Sequence, residues 1–396
     1  MRPFWFLAPD IVSSRLSFPV DIVTISTILT DHRAMTDHIQ TSIKNNIGFL
    51  VLDRPKALNS LSLDMVRMLT KTLLDWRDAA IRAVVIRSTS EKAFCAGGDI
   101  RFFYDAGKST PAGGSALLED FFTEEYALNH LIHHYPKPYI AIMDGIVMGG
   151  GMGIAQGGAS NRMRIVTERT KVAMPEVNIG LFPDVGGGFF LSRAPGQIGT
   201  YLGITGETIG PADALYAGLA DVFVPGDQLP ALADMLLSTN GAGTREAIRE
   251  FAAPFRTRPD LVASTLAVQR HVIDRHFAHD QVVAIMASLE KDDSPFAQKT
   301  LAVMQKRSPL MMCVTLEQLR RGARMTVADC LRMERNMVRR SFEHGEVLEG
   351  VRALVIDKDN APQWNPPALG DIAAATVEQF FNPAWPACAH PLRDLN

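Results

Sequence analysis

Cysteine is scarce in this chain: 396 residues carry four, Cys95, Cys313, Cys330 and Cys388, far apart and with no C-x-x-C pair. That excludes a disulfide framework and a thiolate zinc site, and it suits a reducing compartment. Long apolar runs are missing too. The stretch 139–154 is interrupted by Asp144 and a glycine cluster, short of the ~20 residues that cross a bilayer, so a soluble protein with no membrane partner is expected. Positive charge is not in excess, with 40 Lys and Arg against 43 Asp and Glu and a net charge of −3, so nothing draws the chain to nucleic acid or anionic lipid. A small or apolar partner fits better. Also absent are a G-x-S-x-G elbow, an H-E-x-x-H pair and a G-x-x-x-x-G-K-[ST] loop, which sets aside common serine hydrolases, zincins and P-loop NTPases.

What is present is core material: 47% of the residues are hydrophobic, which excludes dominant disorder and fills one large or two ordinary domains. The first 40 residues stand apart. Residues 1–30 are apolar yet carry Arg2, Asp10, Arg15 and Asp21 with Pro3, Pro9 and Pro19, which suits neither a spanning helix nor a signal peptide. Met35 precedes a polar lead-in, so 1–34 reads as a translated upstream region and 1–40 as an extension outside the fold. From Ile47 the pattern is regular. Strands are predicted at 47–52, 83–86, 139–143, 163–166, 172–174 and 221–224, with one helix capped by Ser62 and another at 117–133. Segment 93–99 reads as a loop. The alternation is that of an α/β architecture with its core in 41–240. Over 241–396 helical stretches such as 261–277 and 325–342 take over, followed by a Pro-rich end expected to be extended and packed on the body.

Two glycine clusters sit between strand and helix, Cys95-Ala96-Gly97-Gly98-Asp99 and Met148-Gly149-Gly150-Gly151. Each can present backbone N–H groups that no helix carbonyl accepts, and two such donors converging on one carbonyl would make an oxyanion hole. Each cluster alone reads equally as tight strand–helix packing, and the second as a degenerate dinucleotide loop with Gln156 where that fingerprint wants Gly or Ala. On the helix at 117–133, Glu125 shares a face with Phe121, Leu128 and Ile132, so it is either a helix-edge residue or a buried acid with a raised pKa. Its neighbour Glu124 sides with Asp120. Glu176, after Met174-Pro175, and Asp184, between Pro183 and the glycines 186–188, read as helix-end anions or as catalytic acids. His276-x-x-His279 with Asp280 has metal-like spacing but no further ligand, and reads as a solvated helix face. His133 and His134 read as cations of a last helical turn or as packing residues.

The run 93–100, and the run from Lys137-Pro138-Tyr139 to Gly149-Gly150-Gly151, resemble the enoyl-CoA hydratase/isomerase (crotonase) superfamily. Glu124-Glu125-Tyr126, the stretch 173–188, and Glu349-Gly350-Val351-Arg352-Ala353 with 356–359 resemble its 3-hydroxyisobutyryl-CoA hydrolase branch; the resemblance covers about 42–367. It implies a crotonase-like (ClpP/crotonase) α/β spiral of ββα units with a helical C-terminal region. The implied activity is hydrolysis of the thioester of 3-hydroxyisobutyryl-CoA or a related short 3-hydroxyacyl-CoA, as in valine breakdown. The implied location is the cytoplasm, or the mitochondrial matrix in a eukaryote.

The same resemblance puts oxyanion-hole amides on Gly98 and Gly150 and acidic positions on Glu125, Glu176 and Asp184. CoA contacts fall on Lys56 and Ala57 in the loop 54–58, and on Ala96, Asp99, Ile100 and Arg101, with Lys56 and Arg101 supplying local charge for the phosphates. Glu176 is implied as general base or nucleophile, Asp184 as its proton partner, and Glu125 as a contact to the distal hydroxyl or a tuner of its acidic neighbours. No metal or redox cofactor is called for, CoA being part of the substrate, and a homo-oligomer is compatible. Hydratases resemble one another in a second active-site glutamate where this chain has Gly153. Hydrolysis is therefore expected over hydration, and Gly153→Glu is expected to raise a little hydratase activity. The competing readings are an enoyl-CoA hydratase/isomerase and a non-catalytic acyl-CoA-binding protein.

Overall fold

The computed structural model describes residues 38–110, 114–257 and 263–396. The chain divides into the units 1–35 and 36–396, and the first, with the expected upstream region, lies outside the described residues. The described strands are β1 Ile39–Lys44, β2 Ile47–Leu52, β3 Ala83–Ser88, β4 Ala93–Cys95, β5 Tyr139–Met143, β6 Ile146–Met148, β7 Arg162–Val166, β8 Lys171–Ala173 and β9 Val222–Phe223. A larger sheet runs β1-β2-β3-β5-β7-β9, with only the β1–β2 pairing antiparallel, and a smaller parallel sheet runs β4-β6-β8. Each of β3, β5 and β7 is followed by a short strand in the smaller sheet, which is the repeating turn of a spiral. The C-terminal ends of β4, β6 and β8 therefore lie side by side, and the chain just beyond them carries Gly98, Gly150 and Glu176.

Two boundaries differ from the sequence expectation. The extension does not reach residue 40, because β1 starts at Ile39 and pairs with β2 from Ile39↔Leu52 to Lys44↔Ile47 across Asn45 and Asn46, both at positive φ. Only Ile39 of β1 is buried, so the strand carries no apolar alternation to read. The segment 93–99 is not all loop, since Ala93–Cys95 forms β4 with every residue buried.

Helix α1, Leu63–Arg77, starts where the Ser62 side chain accepts from the Met65 N–H, and it buries Val66, Leu69, Leu73 and Trp76. A Cβ on Gly48 would lie 2.4 Å from the Trp76 ring, so glycine makes the room for that indole. Then come α2 Ile100–Ser109, α3 Ala116–His133 and α4 Gly150–Ala155. The α3 residues Phe121, Phe122, Tyr126, Leu128 and Ile132 are all buried, each contributing roughly 1.5–3 kcal/mol as an upper estimate.

Beyond β8 the helices are α5 Gly187–Phe190, α6 Ile198–Thr205, α7 Pro211–Tyr216, α8 Leu229–Ser238, α9 Thr244–Ala252, α10 Thr265–Phe277, α11 Val282–Glu290, α12 Pro295–Met304, α13 Pro309–Gly322, α14 Val327–His344, α15 Glu346–Val351 and α16 Ala374–Gln379. The main core lies among α1, α3 and the C-terminal helices, and a second cluster joins Val85, Ile140 and Ile165 of the larger sheet to Leu232, Leu236 and Ile248 of α8 and α9. The Pro-rich end packs through Phe380 and Leu392, with α16 inside it rather than extended chain throughout.

Burial corrects the reading of His276 and decides between the two readings of His133. His276 is not on a solvated face: it is buried, with Nδ1 at 2.7 Å from Ser288 Oγ and Nε2 at 2.9 Å from Asp292. Burial lowers the His133 pKa to about 4, so at neutral pH it is a packing residue against Phe189 and not a cation. Among the described residues no cluster of His, Cys, Asp or Glu could hold a metal ion, and no helix is long and apolar enough to cross a membrane.

Candidate active site

Gly98, Gly150, Glu125, Glu176 and Asp184 border one cavity of about 220 Å³, whose apolar wall includes Phe103, Phe122, Leu181 and Leu354. The two glycine amides follow Gly97 and Gly149, whose φ values of +106° and +49° favour glycine. A Cβ on Gly150 would come within 3.3 Å of Gly98 N, so the amides are close neighbours. Among the described residues neither Gly98 N–H nor Gly150 N–H donates to a protein acceptor. Their neighbours are committed: Leu61 N–H donates to the Gly97 carbonyl and Asp99 N–H to the Leu61 carbonyl, while Gly149 N–H donates to the Ala173 carbonyl. Two unused donors at one cavity are what a developing oxyanion needs.

The acids arrive from three elements. Glu125 is carried by α3 and is buried with Phe121, Leu128 and Ile132 of its stripe, whereas Glu124 faces outward in a bidentate pair with Arg67. Glu125 Oε1 and Glu176 Oε2 are buried without a hydrogen-bond partner among the described residues. Glu176 opens the short turn Glu176–Ile179, and its Oε1 lies 2.8 Å from where a Cβ on Gly149 would project. Asp184 is not a helix cap through its side chain, which accepts from the Tyr126 hydroxyl at 2.7 Å.

Burial raises the pKa of all three acids. Glu125 is pushed well above the usual carboxylate range by burial and then by the charge of Asp184. Glu176 is raised likewise, by burial and by Asp184, with smaller contributions from Glu125 and Glu334. Asp184 rises to about 6 by burial, held down by the Tyr126 hydroxyl. Negative charge thus settles first on Asp184, and the three titrate as a group. Replacing Tyr126 by phenylalanine removes the bond that favours the carboxylate, so the Asp184 pKa climbs further above about 6. The acid limb of the activity profile is expected to move to higher pH, read as kcat against pH.

The CoA-contact candidates divide. Ala96 and Ile100 border the cavity, but Lys56, Ala57, Asp99 and Arg101 do not. Asp99 is committed to capping α2 and to an ion pair with Arg54 at 2.9 Å. Lys56 and Ala57 lie in the turn Pro55–Ala57, which is fixed beside the cavity rim because Asn59 bonds the carbonyls of Ala93 and Phe94 and Ala96 N–H donates to the Leu58 carbonyl. Lys56 and Arg101 are exposed at this edge. A larger cavity of about 460 Å³, between the larger sheet and α8, contains none of the candidate residues.

The family model for enoyl-CoA hydratase/isomerase matches residues 47–381. The chain belongs to that family. Among relatives, the 3-hydroxyisobutyryl-CoA hydrolase, mitochondrial, of Gallus gallus is 39% identical over 344 residues, covering 85% of this chain and 86% of that protein. The protein of that name from Danio rerio is 38% identical, covering 85% and 87%. Among solved structures, a carnitinyl-CoA dehydratase from Mycobacterium thermoresistibile has a TM-score of 0.81 at 38% identity, covering 89% of this chain and 98% of its own. An enoyl-CoA hydratase from Rhodobacter sphaeroides 2.4.1 has 0.79 at 36%, covering 88% and 98%. Membership of the enoyl-CoA hydratase/isomerase family removes the dinucleotide-loop reading of the second glycine cluster.

Within this enoyl-CoA hydratase/isomerase chain Gly153 is no vacant place for a second glutamate. It borders a separate space of about 30 Å³, and a Cβ there would sit 2.6 Å from Val185 Cβ and 2.8 Å from Asn129 Nδ2. The expectation for Gly153→Glu is therefore reversed. Overpacking of ~1–3 kcal/mol or more is expected to lower the melting temperature, with no gain in crotonyl-CoA hydration. Sequence reasoning also missed residues from the C-terminal region. Leu354, in the turn Arg352–Ile356, walls the cavity, and Arg352 staples that turn to Glu349, Asp357 and Asp359. Glu334 of α14 is buried behind the Asp184 turn. The EGVRA stretch signalled the former; a lone glutamate on an amphipathic helix signalled nothing.

Proposed function

We propose that this chain hydrolyses the thioester of a short 3-hydroxyacyl-CoA, 3-hydroxyisobutyryl-CoA foremost, to CoA thiol and the free acid. The observation that carries the reading is one cavity with two unused backbone donors and three buried carboxylates, in a chain where Gly153 has no room for the hydratases' second glutamate. The names of the relatives at 38–39% identity support it. The thioester oxygen sits between Gly98 and Gly150 N–H, which bind it more strongly as it becomes an oxyanion. Asp184 takes up the proton that burial keeps on Glu176. The Glu176 carboxylate then removes a proton from attacking water, or attacks the carbonyl itself to give an anhydride that water opens. Either way the C–S bond breaks and the thiolate leaves with a proton. The new acid oxygen comes from water on the general-base route, and from Glu176 on the anhydride route when water opens the anhydride at the Glu176 carbon and replaces the oxygen there. Glu125 meets the distal hydroxyl.

CoA lies along the rim held by the 54–58 loop, with Lys56 and Arg101 near its phosphates, and the reaction needs no metal or redox cofactor. The chain works in the cytoplasm or, in a eukaryotic cell, in the mitochondrial matrix. Release of free thiol from 3-hydroxyisobutyryl-CoA, followed with a thiol reagent, tests the reading, and no release at micromolar enzyme overturns it. The dehydratase and hydratase names of the structural neighbours favour a second reading, addition of water to a C=C bond. Crotonyl-CoA consumption without thiol release would establish that one. Binding of CoA with neither reaction would leave a non-catalytic acyl-CoA-binding protein.

A further inference from the structure

The turn that carries Asp184 is held from the far end of the chain. Val185 is a β-branched residue at φ +51° and Gly186 follows at +88°, a backbone conformation that persists only where the surroundings over-determine it. The clamp consists of few atoms. Glu334, with no exposed surface, accepts from Gly186 N–H at 2.7 Å on one oxygen and from Gly188 N–H at 2.8 Å on the other. Gln318 of α13 donates to the Pro183 carbonyl at 2.6 Å and to Glu334 at 3.2 Å. Glycine at 188 allows the approach, since a Cβ there would lie 3.0 Å from Glu334 Oε1. The Asp184 side chain, between the two clamped stretches, accepts from the Tyr126 hydroxyl at 2.7 Å.

We infer that Glu334 is a positioning residue for the reaction: its carboxylate, reaching from α14 to the amides of Gly186 and Gly188, holds the strained turn so that Asp184 points into the cavity. The C-terminal helical region is thereby part of the active site in cis, and not only a cover. Three N–H donors surround the two Glu334 oxygens, an arrangement that an amide cannot reproduce, because its NH₂ would meet a backbone N–H. The groups that face Glu334 electrostatically are Asp184, Tyr126, Glu176 and, on its own helix, Cys330. Burial raises the Glu334 pKa to about 8, held down by the N–H groups of Gly186 and Gly188, and in its charged form Glu334 raises the proton affinity of Glu176.

The inference rests on the thioesterase reading for its kinetic readout, so the test separates the two. Full-length wild type, Glu334→Gln and Gln318→Met are compared for thiol release from 3-hydroxyisobutyryl-CoA, CoA dissociation constant, melting temperature and kcat against pH. For Glu334→Gln kcat is expected to fall about 10–100-fold, the scale of a misplaced catalytic group. KM and CoA affinity should stay within twofold, and the Glu176 proton affinity should fall above about pH 8, where Glu334 is charged in the wild type. Gln318→Met should show a kcat loss in the same direction but smaller, several-fold, and decides the matter if Glu334→Gln does not fold. A folded variant with wild-type kcat and pH profile overturns the inference, even if it melts earlier. A wild type that releases no thiol overturns the hydrolase reading instead. In that case a crystal structure of either variant decides, and Asp184 still bonded to Tyr126 in an undisturbed 183–188 turn counts against positioning.

Discussion

Replacing Glu176 by glutamine is expected to lower thioester hydrolysis by about 10²–10⁴-fold while CoA binding stays close to wild type. The substitution keeps the shape of a side chain whose Oε2 is buried without a partner and whose Oε1 sits beside Gly149, so the fold loses little. It removes the carboxyl group that, in the proposed mechanism, gives a proton to Asp184 and accepts one from water. An amide does neither, and it cannot form an anhydride. Asp184→Asn is expected to act in the same direction with a smaller loss, since Asp184 works through Glu176 and keeps its bond to Tyr126. The measurements are thiol release at saturating substrate and CoA affinity by calorimetry. Glu176→Gln with full turnover would remove that residue from the mechanism. A single turnover of wild type in ¹⁸O water also separates the two routes, because label found in Glu176 marks the anhydride.

The parts of this site that could be read from sequence share one property, a local signal. Glu125 was legible because positions 121, 125, 128 and 132 fall on one helical stripe, and the structure buries all four. The glycine amides were legible because strand–glycine–helix spacing is short-range, and the α/β alternation because β2 and β5 are apolar throughout and β3 over its first four residues. What failed was either short or distant. The strands β4 and β6 have three residues each and run straight into the glycine clusters, although they are the strands that deliver Gly98 and Gly150. β1 buries one side chain. Gly153 looked like a deletion in a catalytic pair, and only the distance to Val185 identifies it as a packing glycine. His276 looked solvated because its partners Ser288 and Asp292 lie on and just past the next helix. The Glu334 clamp spans 148 positions between the carboxylate and Gly186, and no window on the sequence contains both ends.

Gly150→Ala is expected to lower kcat by at least about 10²–10³-fold, the scale of one lost oxyanion donor, in a protein that folds. Gly150 is the first residue of α4 and its φ is not positive, so the backbone accepts alanine, which a helix prefers to glycine. The damage is confined to the cavity. The added methyl would project to 2.5 Å from Glu125 Oε1 and 3.3 Å from both Gly98 N and Leu61 Cδ1. It therefore occupies the space between the two amides where the thioester oxygen would lie, and displaces Glu125 as well. CoA held along the 54–58 rim lies outside that space, so its dissociation constant should change little while kcat collapses. The single variant Glu125→Ala separates the two injuries, because it removes the carboxylate and leaves the space between the amides open. It is expected to stay faster than Gly150→Ala. A Glu125→Ala as slow as Gly150→Ala would place the loss on Glu125. A folded Gly150→Ala within tenfold of wild type would mean that the thioester oxygen is bound elsewhere than between Gly98 and Gly150.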